Sequence, residues 1–131
     1  MTNPTIGTKG ALLDLLIRQG ATCGPNYMSV KDSGGTAIDL TDVTITAQIR
    51  KTADAVTSMA DAVVTIDVAA NGTFHWQFDA TDTAALTCDP VSETAAASQY
   101  VWDMEMKYTT GGRVVPLLYG TVSVFREVTK P

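Results

Sequence analysis

Two carboxylates with a spacing suited to acid and base chemistry lie toward the end of this sequence. Asp103 and Glu105 are separated by one residue in the segment "YVWDMEMKY". Side chains two apart in a β-strand point to the same face, so the pair could place an acid beside a base. Solvated strand faces carry similar pairs, and no histidine or apolar cleft is predicted nearby. We therefore expect a solvated outer face.

Other groups that could bind a metal or act as a nucleophile are few. The chain has one histidine, His75, and two cysteines, Cys23 and Cys88. A zinc site needs more ligands at closer spacing. The two thiols are expected to stay reduced and partly buried, because nothing else indicates an oxidising compartment. His75 alternates with aromatic residues and is expected at the surface.

Three aspartates, Asp32, Asp39 and Asp42, lie in a loop, but their spacing is not that of an EF-hand and predicts turn formation. Signature motifs of serine hydrolases, phosphate-binding loops, dinucleotide folds and zinc proteases do not occur in the chain. The sequence thus predicts no catalytic, cofactor-binding or metal-ligating residue. An enzyme stays an alternative that rests on Asp103 and Glu105, because catalytic groups can be assembled from distant positions.

The elements that must position these side chains are β-strands. Apolar residues recur at every second position in "VTITAQIRK", "TFHWQFD" and "YVWDMEMKY", which is typical of strands with one buried and one solvated face. The predicted buried positions are Val43, Ile45, Ala47, Ile49, Phe74, Trp76, Phe78, Tyr100, Trp102, Met104, Met106 and Tyr108.

The other segments complete the predicted sheets. "LLDLLIR" (12–18) and "NYMSVK" (26–31) are expected to form a first pair of strands, and "VVTIDV" (63–68) a further strand that turns at "NG" into "TFHWQFD". The glycine pair in "KDSGGTAIDLTD" predicts a second turn with positive φ. The last strand, "RVVPLLYGTVSVFREV", is expected to bend at Pro116 or Gly120.

Together these elements predict an all-β fold, an immunoglobulin-like antiparallel β-sandwich of seven or eight strands. One short helical turn is expected at Ala84, Ala85 and Leu86, with Asp79 or Thr81 as its N-cap. A chain of 131 residues is most simply one domain. We assign residues 1–11 to a flexible N-terminal arm, residues 12–131 to the single sandwich domain, and 87–98 to a mobile or partner-ordered loop.

Charge and hydropathy exclude several classes of partner. The formal net charge of -5 provides no positive field for phosphates, so nucleic-acid binding is not expected. The apolar stretch "ALLDLLI" is interrupted by Asp14 and ends at Arg18, which matches neither a membrane span nor a signal peptide. The expectation is a soluble protein made in the cytoplasm, with no small-molecule substrate.

The sequence also resembles a family. "DLTDVTITAQIRK", then "TAAL" and "YVWDMEMKYTTGGRVVPLLYGTVSVFREVT", resemble the small structural β-sandwich proteins of tailed bacteriophages, in particular the N-terminal domain of baseplate upper proteins. The opening "LLDLLIRQGAT" is similar as well, so the resemblance spans about residues 12 to 129. The loop at 87–98 is longer than the short turn usual in such proteins.

The resemblance implies a non-enzymatic virion protein, a tail, baseplate or fibre-attachment adaptor that contacts other phage proteins and copies of itself. A capsid decoration protein is an alternative within the same class. A carbohydrate-binding host-adhesion module is an alternative from another class, but its candidate aromatic platforms, Trp76, Trp102 and Tyr119, lie mostly on faces predicted to be buried.

Overall fold

A computed structural model describes residues 10–87 and 98–126 of the protein. The strands within these ranges are β1 (Ala11–Leu12), β2 (Leu15–Arg18), β3 (Cys23–Ser29), β4 (Val43–Arg50), β5 (Ala60–Asp61), β6 (Val63–Val68), β7 (Thr73–Phe78), β8 (Ser98–Tyr108) and β9 (Val114–Phe125). The helical elements of these ranges are a 3-10 helix (Ala69–Asn71) and α1 (Ala80–Ala84).

The described strands form two sheets that pack as a sandwich. The larger sheet has the order β1-β9-β8-β4-β5, with β2 also paired to β9, and the smaller sheet has the order β3-β7-β6. Within the described ranges seven strands have four residues or more, and β1 and β5 have two residues each. The predicted all-β sandwich is therefore confirmed, whereas its immunoglobulin-like character stays a prediction.

The core lies between the sheets and follows the predicted alternation. Most of the predicted positions are buried, and Val43 and Tyr108 at the strand ends are partly buried. The Trp76 ring of β7 stacks on the Trp102 ring of β8, with centroids 5.2 Å apart. Since β7 and β8 belong to different sheets, this aromatic pair joins the two layers.

The pairing predicted for the first two strands is wrong. β2 lies parallel to β9, with Leu15 opposite Val122, whereas β3 pairs antiparallel with β7 in the other sheet. The chain crosses between the sheets after Arg18, so segments that are adjacent in sequence lie in different layers. The sandwich is accordingly mixed, because β1 and β2 are both parallel to β9.

A break between β1 and β2 has a specific origin in the neighbouring strands. The Trp102 indole donates a hydrogen bond to the Leu13 carbonyl oxygen at 2.7 Å. The Asp14 carboxylate accepts one from the Thr121 amide at 2.9 Å and replaces a backbone partner there. A Cβ atom at Gly120 would lie 2.2 Å from the Leu13 oxygen, so only glycine allows this approach.

The irregularity predicted in the last strand and the turn predicted before β7 are both present, but each differs in detail from the prediction. Met104 faces Leu118 and Glu105 faces Pro116, which leaves Leu117 as an extra residue and places a bulge beside Pro116, one of the two positions predicted for a bend. Gly72 has a φ of 68° and follows the 3-10 helix, so the β6–β7 turn is longer than a two-residue turn.

The helical turn and the predicted segment boundaries differ from expectation. α1 is Ala80–Ala84, earlier than predicted, and Asp79 occupies its N-cap position while its side chain accepts from Gln77 instead. Thr83 is buried and donates to the Ala21 carbonyl oxygen, which fixes α1 to the turn after β2. Ala11 belongs to β1, so the predicted arm overlaps a strand. The rest of that arm, 1–9, and residues 88–97 of the predicted loop lie outside the described residues.

Candidate functional site

The two carboxylates are placed together, as the alternation predicts. Asp103 and Glu105 are both exposed on the outer face of β8, opposite Gln48 and Thr46 of β4. His75 belongs to β7 in the other sheet and does not join them. The pair therefore faces one amide and one hydroxyl side chain on the neighbouring strand, and the predicted solvated face is confirmed.

The electrostatics of this face are set by partial burial and by one arginine. Desolvation raises the pKa of Asp103 above its ordinary value of 3.8, and the positive charge of Arg50 opposes that rise. The Arg50 guanidinium donates to the Ala55 carbonyl oxygen at 2.9 Å and to the Gln48 side chain at 2.8 Å. Arg50 thus holds the chain that follows β4 and leaves Asp103 without a short ion pair to it.

A polar group that the sequence did not predict lies on the outer face of the smaller sheet. His75 Nδ1 is 2.8 Å from one oxygen of Asp67 and 3.0 Å from the other. The Tyr27 ring, 72% exposed, packs against the imidazole with centroids 5.0 Å apart. The predicted surface position of His75 holds, but its partners come from β3 and β6, and single-strand alternation carries no information on which residues become neighbours across a sheet.

Asp32, Asp39 and Asp42, whose spacing was compared with that of an EF-hand, form hydrogen bonds within turns and loops. The Asp32 carboxylate accepts from the Gly34 and Thr36 amides, and Asp42 accepts from the Thr110 amide. Hydrogen bonds from the Thr41 hydroxyl and amide lower the pKa of Asp39 below its ordinary value. Over the ranges 10–87 and 98–126, no three His, Cys, Asp or Glu side chains form a group that could hold a metal ion.

The cysteines give no further site. Cys23 lies half-buried on β3, where desolvation raises the pKa of its thiol above 9.0 and a hydrogen bond with the Asn26 side chain opposes the rise. A thiol with a raised pKa is a weak nucleophile at neutral pH. Cys88 lies outside the described residues, so the expectation that the two thiols stay reduced remains a prediction.

The tryptophans predicted to be core residues are buried and therefore cannot serve as sugar platforms. Trp76 and Trp102 are 1% and 3% exposed. Their indole N–H groups are used within the core, by the Met28 sulfur at 3.1 Å and by the Leu13 carbonyl oxygen. Tyr119 is partly buried on β9. Tyr27, which sequence reasoning did not single out, is the more exposed aromatic ring.

Exposed apolar side chains occur along the margin of the larger sheet, on its outer face. Leu15 and Ile17 of β2 point into the core, so Leu16 between them points outward and is 75% exposed. Leu12 is 63% exposed and lies opposite Tyr119, and Phe125 at the end of β9 is also exposed. We call Leu12, Leu16 and Phe125 the edge patch. The apolar run "ALLDLLI" was its sequence signal, since adjacent leucines in an extended chain must lie on opposite faces.

Within the described part of the chain β2 pairs with β9 alone, so one side of β2 carries backbone groups without a strand neighbour. Natural sheets usually protect such an edge with charges, prolines or bulges. Here Arg18 is the charged residue within β2, and the remaining residues, Leu15, Leu16 and Ile17, are apolar. The combination of an open edge and an apolar outer face is typical of a protein–protein contact.

No protein-family model matches this chain, and no curated protein sequence matches it. A search of the described helices finds none that is both long enough and apolar enough to cross a membrane.

Proposed function

We propose that this protein is a non-enzymatic structural component of a tailed-bacteriophage particle. Its role would be that of a tail, baseplate or fibre-attachment adaptor in the virion, assembled through contacts with other phage structural proteins and with copies of itself. The proposal combines the sequence resemblance with the edge patch. It involves no nucleic acid, membrane, cofactor or small-molecule substrate.

The edge patch is the observation that carries the proposal. Leu12 and Leu16 are more than half exposed, so most of their apolar surface contributes nothing to the stability of the isolated fold. Covering them stabilises a complex by roughly 25 cal/mol for each Å² of apolar surface removed from water. A neighbour that pairs with the β2 edge would also satisfy its backbone groups. Adaptors that work by contact need such a surface.

The strand order supports an immunoglobulin-like sandwich, which is part of the proposal. In that fold strands C, F and G form one sheet, and B, E and D belong to the other. Here β4, β8 and β9 are neighbours in the larger sheet, and β3, β7 and β6 form the smaller one. Stiff sandwiches of this kind are reused for many functions, so the order bears on architecture and not on activity.

The test is to purify phage particles and identify this protein by mass spectrometry and side-chain-resolution electron microscopy. We expect stoichiometric incorporation at the tail, with the edge patch covered by a neighbour. A double variant, Leu12→Ser with Leu16→Ser, should keep its Tm but fail to enter particles. Thr44→Ser, on the exposed outer face of β4, is the matched control and should enter normally. Absence of the protein from purified particles would refute the proposal, and density on the head would favour the decoration protein.

A host-adhesion module is the second candidate, and Tyr27 is the observation that favours it. Sugar sites combine an exposed aromatic ring with adjacent polar groups. Tyr27 lies beside the His75–Asp67 pair and is 72% exposed. Glycan-array binding that Tyr27→Ala abolishes, while Tyr108→Ala on the other sheet preserves it, would favour adhesion. Lack of any saturable glycan binding would remove this candidate.

A further inference from the structure

A cleft of about 890 Å³ opens at one end of the sandwich, between β3 and β9. One wall is the end of β3 with the loop that follows it, and the other is the first half of β9. Its apolar lining includes Met28, Val30, Ile38, Met106, Val115 and Leu117. Four of these, Met28, Val30, Ile38 and Leu117, are only partly buried and pack against the core from one side.

The β3 wall presents a strand edge. The Val30 amide donates to the Gly72 carbonyl oxygen at 2.8 Å, so the backbone groups of Val30 face the β7 side. Because these groups alternate in an antiparallel pair, those of Tyr27 and Ser29 point away from β7. In the described part of the chain β7 is the strand that pairs with β3. Backbone donors and acceptors next to an apolar cleft favour an extended polypeptide as the occupant.

The β9 wall of the cleft also has a stretch of strand that β1 does not cover. β1 begins to pair with β9 at Ala11, opposite Leu118, so the residues of β9 before Leu118 lie beyond the end of β1. Gly10 lines the cleft at this point. Its φ of 79° turns the chain out of the line of β1, and a Cβ there would lie 2.7 Å from the Leu117 carbonyl carbon. Gly10, the residue directly before β1, therefore lies at the cleft.

We propose that residues 1–9 of the same chain occupy this cleft as an added strand on the β3 edge. Nine extended residues reach roughly 30 Å, more than enough to follow β3. Their attachment at Gly10 gives a local concentration that a separate peptide lacks. The segment "MTNPTIGTK" contains β-branched Thr2, Thr5, Ile6 and Thr8, which suit a strand, and its proline is tolerated on an edge. This inference does not depend on the proposed function.

The first experiment compares the full chain with one that begins at Gly10. The full chain is expected to have a Tm higher by about 3 °C or more. Amide hydrogen exchange at Tyr27 and Ser29 should be slower in the full chain by about tenfold or more, because an added strand would protect them. A synthetic peptide of residues 1–9 should bind the shortened chain and not the full chain.

Point variants separate strand addition from a general effect of truncation. Ile6→Asp should lower the Tm and speed exchange at Ser29 as truncation does, because it places a charge among apolar groups. Asn3→Asp makes the same charge change at a polar position and should leave both unchanged. Both variants keep the whole described sandwich, so their folding is not in question.

Three outcomes overturn the proposal. Equal Tm and equal exchange in the full and shortened chains would show that residues 1–9 do not cover the edge. Equal binding of the peptide to both chains would show that the cleft is vacant in the full chain. A full chain that is dimeric, with a monomeric shortened chain, would assign the cleft to the arm of a second copy.

Discussion

The central strands and the β1–β2 edge of this protein differ in how their apolar and polar residues are arranged. In β4 and β7, and in β8 from Trp102 onward, apolar and polar residues alternate, and nearly all of the inward apolar set is buried. In β1 and β2 leucines occupy both faces, and the strand is interrupted at Leu13 and Asp14. The centre is determined by burial of one face, whereas the edge depends on a few hydrogen bonds and one glycine. The two regions should therefore respond differently to substitution.

The largest expected effect is in the centre. Trp102→Ala removes a buried ring that stacks on Trp76 and donates to the Leu13 carbonyl oxygen. We expect the free energy of unfolding to fall by about 3 to 5 kcal/mol, measured by urea denaturation. Glu105→Ala, on the opposite face of the same strand, is the control and should change it by no more than about 0.5 kcal/mol. A reversed order would mean that the faces of β8 are exchanged.

Next in size is a substitution at the junction of the two regions. In Gly120→Ala the new Cβ would lie 2.2 Å from the Leu13 oxygen, a backbone atom that cannot move without displacing β1. We expect a loss of about 2 to 3 kcal/mol, as for overpacked cores. Gly34→Ala meets its nearest atom at 3.4 Å and should be nearly neutral. If both variants were equally stable, the close contact at the edge would be disproved by calorimetry.

A smaller effect is expected from the carboxylate that replaces a strand partner. Asp14→Asn keeps an oxygen for the Thr121 amide but removes the charge that strengthens the bond. We expect a loss of about 1 kcal/mol in chemical denaturation and faster amide exchange at Thr121. Asp54→Asn removes the same charge from the exposed chain after β4 and should change neither. Unchanged exchange at Thr121 in Asp14→Asn would contradict the assigned role.

The smallest effect has the opposite sign and depends on pH. The pKa of Asp103 is raised in the folded protein, so the folded state holds the proton more tightly than the unfolded chain does. The free energy of unfolding therefore decreases as pH rises from the ordinary value of 3.8 to the higher folded pKa. Asp103→Asn lacks this loss and should be slightly more stable than the wild type at pH 7. Thermal melts from pH 3 to 7 test this, and a constant difference across that range would contradict it.

The interior could be predicted from the sequence because alternation is a local signal. Phe74, Trp76 and Phe78 point inward for the same reason that they alternate, and no knowledge of the neighbouring strand is needed. The turn at Gly72 and the irregularity beside Pro116 were also local signals, since each depends on the backbone preference of one residue. These features depend little on which strands become neighbours in the sheets.

The edge could not be predicted in the same way. Nothing local distinguishes a strand that pairs with its neighbour in sequence from one that joins β9 in parallel, so the pairing of β2 was missed. The role of Asp14, which bonds to Thr121 of β9, and the Tyr27–His75 contact between β3 and β7 depend on the same kind of long-range register. Each depends on two strands that are far apart along the chain and become neighbours in the fold. A single sequence does not indicate which distant strands will pair.

By itself the sequence determined an all-β chain, the buried face of its central strands and the solvated position of Asp103 and Glu105. Only the tertiary structure decided that β1 and β2 join the larger sheet, that leucines of that edge stay exposed, and that a cleft opens beside β3. The physical reason is one of range. Side-chain direction within a strand repeats every two residues, whereas pairing between strands is chosen by the packing of the whole sandwich.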